Sequence, residues 1–383
     1  MGWNVPLERL SQKQLAVLDG ITRSLTRPHW VKGFAGTGKT VVLSRLIERV
    51  AAEHPASSLC FLTYTHALKD MVATAFHGDM ARRVRVMTHK QFLSEKAACD
   101  YVFLDEVQDI PPGELLRIRA RSKHFVIAGD PDQSIYTDGA DESDINRLLE
   151  PDAWALVEMF RLTPKLASLA RTILPSSRIV EGIHDGRTRN ADVHLFRFPD
   201  ESSEASWVWS EANRHARQGS PSVILLPTHK AIRDFGEGVA RGTGIQAPEP
   251  VKKVSYKHDY DPWNRHWQRA NLNLRYFGGG HGSLFDADSS PMVYVMTYHG
   301  SKGLDFATVF LPGLREGTVI VNAQALAENP LLDRRLLFVA VTRSRERLFM
   351  TFSGDRPHKL LGDLEQEIPP TSAGTDLDDE EFF

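Results

Sequence analysis

The chain has 383 residues, a formal net charge of −3, 25% charged and 42% hydrophobic side chains, the balance of a globular protein with room for two or three domains. No basic-plus-apolar leader opens it and no apolar run approaches the roughly 18 residues a membrane helix needs, which predicts a cytoplasmic protein without membrane contact. Two cysteines, Cys60 and Cys99, rule out a disulfide framework, and fifteen histidines without ligand spacing argue against a zinc site.

In chain order, residues 1–150 alternate short apolar runs with helical stretches. Strands are predicted over 29–32, 59–63, 84–87, 101–104 and 124–128, and helices over 39–53, 66–76, 112–119 and 143–149. A second set of similar size spans 151–353, with strands over 193–198, 222–226, 293–297, 308–311 and 347–352. Its helices are predicted over 163–174, 201–218, 230–241 and 334–342. The pattern is that of an α/β protein with two domains built on mostly parallel sheets. Residues 251–290 stand apart: Lys252, Lys253, Tyr256, Trp263, Arg265 and Trp267 interleave bases with aromatics. That composition fits a loop that binds a nucleic-acid strand, and it also fits a loop packed on its own domain. Residues 354–383 are acidic and rich in Pro, Ser and Gly, and are predicted to be a disordered tail.

The stretch Gly33-Phe34-Ala35-Gly36-Thr37-Gly38-Lys39-Thr40 fits GxxxxGK[ST] between a strand and a helix. Glycines let backbone N–H groups curl round phosphates, and the helix N-terminus adds its dipole. Lys39 would neutralise β/γ oxygens of ATP and Thr40 would ligate Mg²⁺. An acidic partner should lie at the end of a neighbouring strand, and residues 101–104 run into Asp105-Glu106. Asp105 is the candidate Mg²⁺ ligand and Glu106 the candidate general base.

Asp105-Glu106-Val107-Gln108-Asp109 after such a loop resembles motif II of the superfamily 1 helicases. Gly129-Asp130-Pro131-Asp132-Gln133 with Ser134-Ile135-Tyr136 resembles motif III of their UvrD/Rep branch. Thr297-Tyr298-His299-Gly300-Ser301-Lys302-Gly303-Leu304-Asp305 is similar to motif V, and 334–343 to motif VI. The resemblance runs in family order from Gln14 to Arg343. It implies two RecA-like P-loop NTPase domains, 1–150 and 151–353, with ATP in the cleft between them. It further implies that Gln14 reads adenine, Phe160 stacks on it, Gln133 senses the γ-phosphate, and Gly303 and Asp305 contact the nucleotide, Asp305 at the ribose. Arg161 and Arg343 would be arginine fingers from the second domain, so that hydrolysis depends on closure.

In such proteins single-stranded DNA crosses the top of both domains. The resemblance places Thr63, Tyr64, His66, Thr88, His89, Thr297 and His299 along that track. A net charge of −3 sits poorly with a nucleic-acid binder, but five acids fall within 376–381, and a tracking motor needs only a local basic groove. The chain departs from the larger relatives: Thr88 and Asp105 are too close for the 1B subdomain, and residues 244–290 are too few for 2B. The usual Trp after Tyr136 is absent. The resemblance therefore implies an ATP-driven 3′→5′ translocase on single-stranded DNA, a stripped core that relies on a protein partner to separate duplexes. An RNA track, and an ATP-gated clamp or switch, remain alternatives. The end, Asp376-Leu377-Asp378-Asp379-Glu380-Glu381-Phe382-Phe383, resembles the tip of bacterial single-strand DNA-binding proteins. It is expected either to dock in the chain's own strand groove or on a partner, or merely to solubilise.

Overall fold

The computed structural model describes residues 4–95, 98–184, 190–254, 257–362, 364 and 368–372. Of the stretch 354–383 expected to be disordered, the described part is packed on the second half: Leu360, Leu361 and Leu364 are buried, and Thr371–Ser372 pair with Phe196 and Arg197. The acidic end from 373 onward lies outside the described residues. So do Ser255 and Tyr256 of the aromatic-basic stretch.

The first half opens with α1 (Gln12–Arg23), then β1 (His29–Gly33), α2 (Lys39–Glu53), β2 (Leu59–Thr63), α3 (His66–Ala73) and α4 (Asp79–Arg83). It continues with β3 (Val84–Thr88), α5 (His89–Ser94), β4 (Cys99–Leu104), α6 (Pro112–Arg119), β5 (Ser122–Gly129), α7 (Glu142–Leu149) and β6 (Asp152–Leu156). The six strands form one parallel sheet in the order β3-β2-β4-β5-β1-β6. β2 is buried along its whole length, as a central strand covered on both faces must be. Each expected strand of this half is present. The sheet also passes the expected boundary at 150: β6 pairs along the full length of β1. It reads as an edge strand, alternately half-buried and exposed, and its Pro151-Asp152 opening resembles a turn.

The short pair β7 (Glu158–Met159) and β8 (Ile183–His184) flanks α8 (Pro164–Ile173). Then follow β9 (Asp192–Phe198), α9 (Glu201–His215), β10 (Ser222–Leu226), α10 (His229–Thr243), a hairpin of β11 (Lys253–Val254) and β12 (Lys257–His258), and α11 (Asp261–Arg269). The chain continues through β13 (Leu274–Tyr276), α12 (Asp286–Ser289), β14 (Val293–Thr297), β15 (Phe306–Leu311), α13 (Ala323–Glu328), α14 (Leu332–Val341), β16 (Ser344–Ser353) and β17 (Thr371–Ser372). The second sheet has the order β13-β14-β10-β15-β16-β9-β17, every pairing parallel. Among the described residues only α5 stands between Thr88 and β4.

The aromatic-basic stretch packs on its own half. Trp263 and Trp267 sit one turn apart on α11, both buried in the apolar cluster that also holds Ile232, Phe235 and Val239 of α10. Gly236 allows the approach, since a Cβ there would stand 3.2 Å from the Trp263 ring. We expect Trp263→Ala to cost about 3 kcal/mol of stability through the cavity it leaves. A thermal melt of the full chain checks this, and an unchanged midpoint would show that the stretch is not part of the core.

Candidate functional site

In a parallel sheet the loops after the strands open at one edge, and in both sheets here those loops face each other. A cavity of about 860 Å³ lies between them, lined among others by Gln14, Lys39, Glu106, Arg161, Asp305 and Arg343.

The loop after β1 takes the shape its glycines permit. Gly36 and Gly38 have φ of +80° and +83°. A Cβ on Gly36 would meet Arg161 Cβ at 3.2 Å, and one on Gly33 would meet Thr37 Oγ1 at 2.5 Å. The first helical residue of α2 is Lys39, whose Nζ donates to the carbonyls of Gly33 (2.8 Å) and Phe34 (3.0 Å). It has no ion pair among the described residues, so its charge is free for an anion. Ala35 and Thr37 complete the loop, Thr37 Oγ1 donating to Phe34 O at 3.0 Å.

Thr40 Oγ1 donates to Asp105 Oδ2 at 2.5 Å. Burial, and then the neighbouring charge of Glu106, push the Asp105 carboxyl up to about 6. Two hard oxygens brought together beside a phosphate loop fit a Mg²⁺ ligand pair. Glu106 holds a left-handed backbone, φ +57°, and accepts from Gln108 Nε2 at 2.5 Å. Burial opposes its ionisation, but Lys302 and Lys39 outweigh burial and hold its carboxyl below the ordinary value. It is therefore ionised at neutral pH, as a base must be.

Gln14 and Ser11 form a capping box on α1, and Gln14 Nε2 also donates to Thr37 O at 3.1 Å. Phe160 is 39% exposed at the cavity mouth, and its N–H donates to Gly36 O at 3.1 Å. Arg161 is ion-paired with Asp305, which Arg345 also approaches. Arg343 is buried: its Nη2 donates to Gln133 Oε1 at 3.0 Å and its Nη1 to Leu304 O at 2.9 Å. Gln133 in turn donates from Nε2 to Asp130 Oδ2 at 2.6 Å. Gly303 has φ of +81°, and a Cβ there would stand 2.7 Å from the Leu68 side chain of the first half, so the two halves approach closely at this glycine.

Sequence reasoning used Lys302 only as a motif V residue that matches the 3′→5′ branch and gave it no place in the site. Its Nζ crosses from the second half to Asp109 Oδ2 at 2.5 Å, lies 3.8 Å from Glu106 and donates to Gln133 O. Lys302 and Asp109 are both buried. The signal was present in the two motifs, which end beside each other only in the folded chain.

The expected strand track divides in two. Thr63, Thr88, His89 and Thr297 are buried. Thr63 Oγ1 donates to Thr65 O, Thr88 caps α5 and Thr297 Oγ1 accepts from Gly300 N. His89 lies under the Tyr64 ring with centroids 4.8 Å apart. These four side chains are not open to a strand: the three hydroxyls at strand ends satisfy the local backbone first, and His89 is packed under Tyr64 beside Glu114, 3.3 Å from its ring. Tyr64, His66 and His299 are half-buried, each with part of its surface exposed. Tyr136, not among the expected residues, joins them: its ring lies 4.2 Å from Tyr64 and 5.6 Å from His299, bridging the halves. Tyr298 is fully buried.

Residues 18–138 match the model of an AAA domain, and residues 281–355 match that of the UvrD-like helicase C-terminal domain. Among curated proteins, the ATP-dependent DNA helicase Rep of Buchnera aphidicola is 37% identical over 86 residues, 20% of this chain and 13% of that one. The ATP-dependent DNA helicase PcrA of Leuconostoc citreum is 34% identical over 92 residues, 21% of this chain and 12% of that one. DNA helicase II of Escherichia coli is 34% identical over 87 residues, 20% and 12% of the two chains. The matches thus span about an eighth of the relatives' lengths. A solved arterivirus nonstructural protein 10 (helicase) with DNA aligns over 91% of this chain and 64% of that one, at TM-score 0.45 and 16% identity. Among the described residues no helix is long and apolar enough to cross a membrane.

Proposed function

We propose, for a chain that belongs to the superfamily 1 helicases of the UvrD/Rep/PcrA type, that it hydrolyses ATP between its two halves to move 3′→5′ along single-stranded DNA. The observation that carries this reading is the convergence of Lys39, Glu106, Gln133, Arg161 and Arg343 on one cavity from two sheets.

The loop amides at Gly36 and Gly38 cradle the phosphates, and Lys39 exchanges its carbonyl contacts for β/γ oxygens. Thr40 and Asp105 hold Mg²⁺, which supplies charge neutralisation on those oxygens. Glu106, oriented by Gln108, takes the proton of the attacking water. Gln133 contacts Arg343 directly, so a change at the γ-phosphate reaches the second half through one hydrogen bond. Arg161 leaves Asp305 to meet the phosphate, and Asp305, with Arg345 still beside it, meets the ribose. Gln14 and Phe160 frame the adenine.

The strand runs over Tyr64, Tyr136 and His299, whose rings suit base stacking. With one short helix at the 1B position, duplex separation falls to a protein partner. The acidic Phe-Phe tail, outside the described residues, competes for the strand groove or recruits that partner.

Arg343→Lys keeps the charge but loses the planar fork, and should slow turnover on the order of a hundredfold. Steady-state phosphate release measures it, and a change under threefold would remove Arg343 from the catalytic set. Polarity is tested by displacement of streptavidin from biotinylated oligonucleotides. ATP-dependent release from the 5′ end alone supports 3′→5′ movement; release from the 3′ end alone refutes it.

A further inference from the structure

β10 and β14 are neighbouring parallel strands, so the residues after them, His229 and His299, open at the same edge of the second sheet. The hairpin β11–β12 folds over that edge. The His258 ring lies on the His229 ring with centroids 4.0 Å apart and 29° between planes. Beneath it, His229 Nδ1 is 2.9 Å from the Tyr260 hydroxyl, and the Tyr260 ring is stacked at 3.5 Å on Tyr276. Tyr260 and Tyr276 belong to the core, so the imidazole pair stands on a rigid base. His258 remains half-buried, and Lys252, Lys253 and Val254 are exposed.

The charges that act on this pair are cationic, and the nearby carboxylates of Asp259 and Asp261 face His281 instead. Burial, then His258, Arg233, His299 and Lys253, lower the His229 imidazole to about 4. Burial, then Lys253 and Arg233, lower that of His258. Arg233 is one turn along α10 from His229, and neither it nor Lys253 forms an ion pair among the described residues. Two cations without a carboxylate partner, beside a stacked pair of neutral rings, offer charge for phosphates and faces for bases.

We propose that Arg233, Lys253 and the stacked His229–His258 pair form a phosphate-and-base subsite for single-stranded nucleic acid, continuing the row of Tyr64, Tyr136 and His299 onto the second half. The subsite rests on the strand-binding reading above. It gives the short hairpin of β11 and β12 a function of its own.

The test uses the full chain and a fluorescein-labelled oligothymidylate of about 20 nucleotides, titrated by anisotropy across a range of salt concentrations. The double variant Arg233→Ala/Lys253→Ala should bind about tenfold more weakly, with a salt slope shallower by about 1.4, the share of two phosphate contacts on a single strand. His258→Ala should lose about fivefold with the slope unchanged, as loss of one stacking face requires. ATP turnover without strand should stay at the parent's rate in both. Unchanged affinity and slope in the double variant would overturn the subsite, as would weaker binding with an unchanged slope, which marks an indirect structural effect. If the parent chain binds no oligonucleotide, the strand-binding reading falls and takes the subsite with it. If the parent binds and the variants match it, the subsite alone falls.

Discussion

Replacing Glu106 by Gln should lower ATP turnover on the order of 10⁴-fold while leaving nucleotide affinity within about threefold. The amide has the carboxylate's shape, so the strained backbone at φ +57° and the contact from Gln108 survive. What is lost is the basic oxygen. Glu106 is the ionised acid of the pair, held so by Lys302 and Lys39 against the pull of burial. Asp105 beside it is pushed the other way and is committed to Thr40. Environments that drive two neighbouring carboxyls apart divide their roles, one as metal ligand and one as base. Single-turnover hydrolysis, with a fluorescent nucleotide to follow binding, separates the two effects. A loss under tenfold would move the base elsewhere.

Lys302→Met should destabilise the chain by about 3–5 kcal/mol, because it leaves the buried carboxylates of Asp109 and Glu106 without their shared cation. The cation bridges the two halves, so strand-stimulated turnover should fall with stability. Adding Asp109→Leu should recover part of the loss, since a buried pair replaced by apolar groups costs far less than one broken. The pH dependence has a definite sign. Burial pushes the Asp109 carboxyl up to about 7 although Lys302 pulls it down. A carboxyl raised above its unfolded value contributes stability that is full below about pH 4 and is lost as pH rises through about 7. Without Lys302 that loss is larger, so the melting midpoints of variant and parent should diverge most above pH 7. A Lys302→Met variant that melts with the parent at pH 8 would show that the bridge does not form in solution.

The phosphate loop, the acids ending β4 and the positions of strands β1 to β5 were legible because their chemistry is written in contiguous residues. Glycines must sit where φ is positive, and acids must follow an apolar strand. The Lys302–Asp109 bridge was not legible, since its members lie in separate motifs and meet only when the sheets face each other. β6 escaped because an edge strand carries a weak alternating pattern behind a proline. Thr63, Thr88 and Thr297 misled because a hydroxyl at a strand end looks the same whether it caps the next turn or faces a ligand. Trp263 and Trp267 carried a usable signal in their spacing of four, which places both on one helical face. Tyr136 was visible as the last residue of its motif, but its place between Tyr64 and His299 required the fold.

The most direct measurement is steady-state ATP hydrolysis with Mg²⁺, comparing no nucleic acid, single-stranded DNA, duplex DNA and single-stranded RNA. Strong stimulation by single-stranded DNA, rising with strand length and absent in Glu106→Gln, is the expected result. The same rate in all four conditions would contradict a strand-driven motor and leave an ATP-gated switch as the better account.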